Sequence, residues 1–174
     1  MTKQISNGVN KTIIGISIAV LVLAGVVWIA RPGLEDANTA SLSPAPGGGA
    51  LTAEENAFDF GPISMATGNV KHEFKIKNTG TGTIIVEKMY TSCMCTTASL
   101  VTSKKKYGPY GMPGHGFVPK INTSIGPNEE VTVETIFDPA AHGPAGVGRV
   151  ERAVILENNA GEPLELLFTA LVTP

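Results

Sequence analysis

Residues 70–77 read V-K-H-E-F-K-I-K, and their alternation decides the fold class. Val70, His72, Phe74 and Ile76 fall on one side of an extended chain, with Lys71, Glu73, Lys75 and Lys77 on the other. A period of two marks a strand with one buried face, because successive side chains point to opposite sides of a sheet. The next residues, N-T-G-T-G at 78–82, supply a turn into T-I-I-V-E-K-M-Y at 83–90, a second strand. Further on, I-G-P-N-E-E at 125–130 turns into V-T-V-E-T-I-F, which D-P at 138–139 ends. The Pro- and Gly-rich stretch 139–148 reads as loop, 149–157 as strand, N-N-A-G at 158–161 as a hairpin-type turn and 164–172 as a last strand. Counting from Phe58, about seven short strands with a turn every ten residues or so predict an all-β immunoglobulin-like sandwich. No stretch after residue 50 has a helical period. The antibody-type version is excluded: no tryptophan follows Trp28, and the two cysteines are two residues apart.

Composition agrees. Gly and Pro number 20 and 12 of 174 residues, well above the usual share of about 12 %, and so many turn formers favour short strands. The formal net charge is −2, so there is no basic field to hold nucleic acid. Two cysteines cannot staple a disulfide mini-protein.

Before the strands, residues 12–30, T-I-I-G-I-S-I-A-V-L-V-L-A-G-V-V-W-I-A, carry no charge and are bounded by Lys11 and Arg31. As a helix rising about 1.5 Å per residue they would span roughly 28 Å, close to the hydrocarbon thickness of a bilayer. Trp28 suits the headgroup level near one end. Lys3 and Lys11 precede the segment, while Glu35 and Asp36 follow Arg31, so the positive-inside bias points residues 1–11 to the cytoplasm. The expected organisation is a short tail at 1–11, a signal-anchor transmembrane helix at 12–30, a Pro/Gly/Ser-rich linker at 31–56 and an extracytoplasmic domain at 57–174. A cleaved signal peptide is the competing reading, although a cut after Ala30 would set bulky Trp28 at the −3 position. A buried globular helix is the third. Both of the first two readings export the domain.

Several motifs occur in a fixed order: F-D-F-G-P-I at 58–63, H-E-F-K-I-K-N-T-G at 72–80, T-S-C-M-C-T at 91–96, I-G-P-N-E-E at 125–130 and F-D-P at 137–139. In these the chain resembles the bacterial family called domain of unknown function 1573, immunoglobulin-like modules akin to those of the ASH and MSP type. The resemblance covers most of residues 57–172, and its most distinctive part is S-C-x-C-T. It implies an exported or membrane-anchored sandwich, here a single-pass protein of the bacterial cytoplasmic membrane with its C-terminal domain outside. It implies work as a scaffold or interaction domain, with another envelope protein as partner, and supplies no established activity. Two departures stand out: Met94 occupies a position where the family commonly has glycine, and the connection at 100–124 is longer than usual.

Cys93 and Cys95 are the sharpest chemical feature. In an extended segment, residues two apart project to the same side, so both sulfurs would face one spot. A disulfide between them would close a very small ring that is easily reduced. Two parallel thiolates would suit Cu(I), or Zn(II) as a borderline case. Metal ligation, buried structural thiols and a redox pair all remain open on these residues. The loop S-K-K-K-Y-G-P-Y-G-M-P-G-H-G-F-V-P at 103–119 offers Met112 and His115, a thioether and an imidazole that would complete a soft metal site. His142, in A-A-H-G-P-A-G-V-G, is a further candidate ligand. His72 reads as a hydrogen-bonded core histidine, and Lys104, Lys105 and Lys106 as a solvated run. There is no G-x-S-x-G elbow, no P-loop and no G-x-G-x-x-G after a strand, so the sequence predicts no enzyme and no catalytic residue.

Overall fold

The computed structural model describes residues 50–174, and the expected tail, membrane helix and most of the linker therefore lie outside the described residues. Ten strands form two sheets. They are β1 (Leu51–Ala53), β2 (Ala57–Ser64), β3 (Val70–Asn78), β4 (Ile84–Thr91), β5 (Thr96–Val101), β6 (Lys106–Tyr110), β7 (Thr123–Ile125), β8 (Glu130–Phe137), β9 (Gly148–Asn158) and β10 (Leu164–Thr173). One sheet has the order β1-β3-β8-β5-β6 and the other β2-β10-β9-β4-β7. All pairings are antiparallel except β2 against β10. Among the described residues the only helical elements are 3₁₀ turns at Met65–Thr67 and Gly143–Gly146, and no helix is long and apolar enough to cross a membrane.

The core lies between the sheets. Phe74, Ile76, Val133 and Leu100 from the first sheet are wholly buried, as are Val86, Met89, Val154, Leu156, Leu166 and Phe168 from the second. These are the inward positions that a period of two selects, except that an irregularity between Val86 and Lys88 shifts the parity on β4 and turns Met89 inward in place of Lys88. On the outer face Glu134 receives both Lys71 and Lys106, and Lys71 also lies 2.8 Å from Glu73. Lys106 foremost, then Lys71, holds the Glu134 carboxyl below its usual range. A carboxylate whose folded pKa is depressed stabilises the fold above its unfolded pKa, and that contribution is lost as pH falls through the folded value. Glu134→Gln is therefore expected to lower the urea midpoint at neutral pH. The gap to the wild type should close under acid, where wild-type Glu134 is itself protonated.

The seven-strand expectation is corrected to ten. The additional strands β1, β6 and β7 are three to five residues long, too short for an alternation to register in sequence. Strand β1 also lies within the stretch whose composition reads as linker, where it pairs with β3 from Leu51↔Asn78 to Ala53↔Ile76. The long connection is only partly loop, because β6 pairs with β5. His72 is half-buried. Its ring stacks on Phe58 at 3.6 Å and its Nε2 sits 2.7 Å from Glu55 Oε1. Lys106 belongs to the Glu134 ion-pair group, while Lys105 Nζ lies 4.9 Å from the Tyr107 ring centroid.

Candidate functional site

Two crossings between the sheets lie side by side. Residues 92–95 carry the chain from β4 in the second sheet to β5 in the first, and residues 138–147 carry it back from β8 to β9. The Asp138 amide donates to the Cys95 carbonyl at 2.9 Å and ties the two connections together.

The T-S-C-M-C-T motif has a role at almost every position. Buried Thr91 shares its hydroxyl proton between the carbonyls of Cys93 and Thr96, at 2.9 and 3.0 Å. The Thr96 amide returns to the Cys93 carbonyl at 3.2 Å and closes the turn. Ser92 clamps β9: its amide donates to the Ala153 carbonyl and its hydroxyl accepts from the Ala153 amide. Cys93 and Cys95 are 8 % and 3 % exposed, with Met94 between them at 49 %. Met94 is not among the residues with positive φ, so the side chain sits there without backbone strain.

This geometry corrects the extended-segment expectation. The sulfurs meet because the chain turns, and they are bonded to one another as a disulfide, with Cα atoms 5.3 Å apart. The described residues contain no free thiol. A side chain is set against each sulfur. His142 Nε2 lies 3.2 Å from Cys93 Sγ, and the Arg152 Nε–H donates to Cys95 Sγ at 3.3 Å. Arg152 also donates from Nη1 to the Glu151 carbonyl at 2.7 Å. Beside the pair opens a cavity of about 410 Å³ whose lining includes His142, Val147, Arg149, Glu151 and Arg152.

His142 stands before the Gly143–Gly146 turn. A Cβ at Gly146 would lie 3.0 Å from the His142 Cβ, so glycine lets this turn fold closely against the histidine. The donor atoms of Cys93, Cys95 and His142 all lie within 4.8 Å of one another. His115 is not part of that group. It is exposed in the 111–122 loop, where its amide donates to the Met112 carbonyl at 3.2 Å. Met112 is half-buried in the same loop, whose start is fixed beside the cysteine turn by the Thr91 amide donating to the Gly111 carbonyl. Of the imidazoles proposed from sequence, the structure brings His142 to the sulfurs and leaves His115 outside. Loop 111–122 is close in sequence to Cys95, but sequence distance did not select the partner.

Arg152 was missed by sequence reasoning, yet a signal for it existed. Val150, Arg152, Val154 and Leu156 share one parity on β9, and a cation on the inward face of a strand needs a partner. Here that partner is sulfur.

Residues 51–111 match the family described as "Protein of unknown function (DUF1573)". The DUF1573 segment spans β1 to β6 and contains the whole T-S-C-M-C-T turn, but stops before His142 and Arg152. No curated protein matches the sequence. Among solved structures, the chain is similar to a protein of unknown function from Porphyromonas gingivalis, with a TM-score of 0.52 and 15 % identity over 71 % of this chain and 46 % of that one. The present chain thus spans less than half the length of that relative, and the likeness is one of fold. Weaker overlaps occur with the YadV chaperone (TM-score 0.42, 9 % identity, 71 % of this chain and 52 % of that). The ASH/PapD-like domain of human CEP192 overlaps similarly (TM-score 0.41, 12 % identity, 71 % and 84 %).

Proposed function

We propose that this chain is a membrane-anchored, extracytoplasmic immunoglobulin-like binding and scaffold module that meets another envelope protein with its Cys93–Cys95 end. The observation that carries this reading is the 410 Å³ cavity beside the disulfide. Exposed Val147, 43 % accessible, offers apolar contact in its lining, Arg149, Glu151 and Arg152 add charge, and Met94, 49 % accessible, stands out from the cysteine turn itself. Export is supported by the apolar run at 12–30 and the charge bias around it. The work is binding, and no catalytic residue is assigned.

The test is a photo-crosslinking residue placed at Met94 of the full chain in its native membrane, with Thr52 on edge strand β1 as the comparison site. A discrete adduct from position 94 that Val147→Asp abolishes is expected. Equal adducts from both positions, or none from position 94, would contradict the reading.

A second reading, metal handling, is favoured by the convergence of the Cys93, Cys95 and His142 donor atoms within 4.8 Å. After reduction, two thiolates and an imidazole form a donor set for Cu(I) or Zn(II). In this reading His142 takes the place expected of His115 and Met112. Simple thiol–disulfide exchange is the weakest reading, because the pair has one intervening residue and no helix N-terminus to lower a thiol pKa.

A further inference from the structure

We propose that the reduced Cys93–Cys95 pair and His142 form a three-coordinate site selective for a monovalent soft cation, Cu(I), with Arg152 as the charge that disfavours Zn(II). The proposal rests on the metal-handling reading above and adds the identity of the ion, its selector and its control by redox state.

Control follows from the disulfide. Bonded to each other, the sulfurs carry no thiolate to ligate an ion. A dithiol reductant supplies two electrons: the Cys93–Cys95 bond breaks, the reductant closes its own disulfide, and both cysteines leave as thiols. Metal binding then displaces the two thiol protons to water. A disulfide oxidant takes the two electrons back: one thiolate attacks it, the second displaces the resulting mixed disulfide, the oxidant leaves as its dithiol, and the re-formed Cys93–Cys95 bond releases the ion.

Selection follows from ligand count and charge. Two sulfurs and one imidazole give three donors, whereas structural zinc is almost always held by four. Thiolate ligands favour Cu(I). Two thiolates and the Arg152 guanidinium together carry one negative charge, with the imidazole neutral. A monovalent ion brings that cluster to zero, and a divalent ion leaves it positive beside two cysteines that are over nine-tenths buried. Arg149 and Glu151 also line the cavity and offset one another. Arg152 already donates to Cys95 Sγ, as an outer-sphere partner of a metal-bound thiolate would.

The test uses the full chain in detergent, reduced with a water-soluble phosphine, which leaves as its oxide. Cu(I) is titrated against a chromophoric Cu(I) chelator and Zn(II) against a zinc indicator, with circular dichroism confirming the fold of each variant. The reduced wild type is expected to take a single Cu(I) and the oxidised protein none. Arg152→Met should erode the preference for Cu(I) over Zn(II) by about 10- to 100-fold, while Arg152→Lys retains most of it. His142→Ala should weaken Cu(I) binding by at least about tenfold. An unchanged preference in Arg152→Met would overturn the selector role while leaving metal handling intact. Failure of the reduced wild type to bind either ion would overturn metal handling itself, and equal binding by the oxidised protein would overturn redox control.

Discussion

Replacing Phe168 by alanine is expected to cost about 3–5 kcal/mol of folding stability. Phe168 is wholly buried on β10, the strand held between β2 and β9. Its ring meets Phe60 edge-on at 5.4 Å and Phe137, from the opposite sheet, at 5.3 Å. Alanine would remove the bridge between sheets, leave a cavity and forfeit two aromatic contacts. Domains of this kind are stable by only about 5–15 kcal/mol in total, so one side chain holds a large share. Urea unfolding of the variant against wild type measures it, and Phe168→Leu, which keeps most of the volume, should lose much less. A loss under about 1 kcal/mol for alanine would mean that the sheets do not pack through this ring.

Asn78→Ala is the second large effect, about 2–4 kcal/mol, and here the origin is polar. Asn78 is fully buried at the end of β3. Its Nδ2 donates to the carbonyls of Gly82 and Ile125, and its Oδ1 accepts from the Gly80 amide. One side chain therefore closes the N-T-G-T-G turn and ties it to β7. Alanine strips three backbone groups of their partner, and a buried group left unpaired loses its full desolvation energy. Asn78→Asp keeps only the acceptor and should rescue little. Urea midpoints at neutral pH check both variants, and stability of Asn78→Ala within about 0.5 kcal/mol of the wild type would contradict this role.

The legible parts of the fold are those set by alternation over eight or more residues. Strands β3, β8, β9 and β10 could be read almost to their ends because their inward positions are mostly apolar, unbroken on β10 and interrupted only by His72 on β3, Thr135 on β8 and Arg152 on β9. Strands β1, β6 and β7 could not, since three to five residues at sheet edges carry too few side chains to show a period. The parallel pairing of β2 with β10 joins Phe58 to Phe168 across more than a hundred residues, and no local pattern encodes it. The site divides in the same way. Cys93 and Cys95 announce themselves by spacing. Their neighbours depend on two crossings between sheets lying together, which put His142 and Arg152 on the sulfurs and left His115 in another loop. Arg152 was readable as an inward cation, but only topology names its partner.

The central physical claim is that His142, rather than His115, attends the cysteine pair. The protein has three histidines, so each imidazole can be followed separately by NMR in the histidine-labelled full chain as a dithiol reductant opens the disulfide. The expected result is a clear displacement of the His142 ring signals, with those of His72 and His115 unmoved. Displacement of His115 while His142 stays in place would contradict the account.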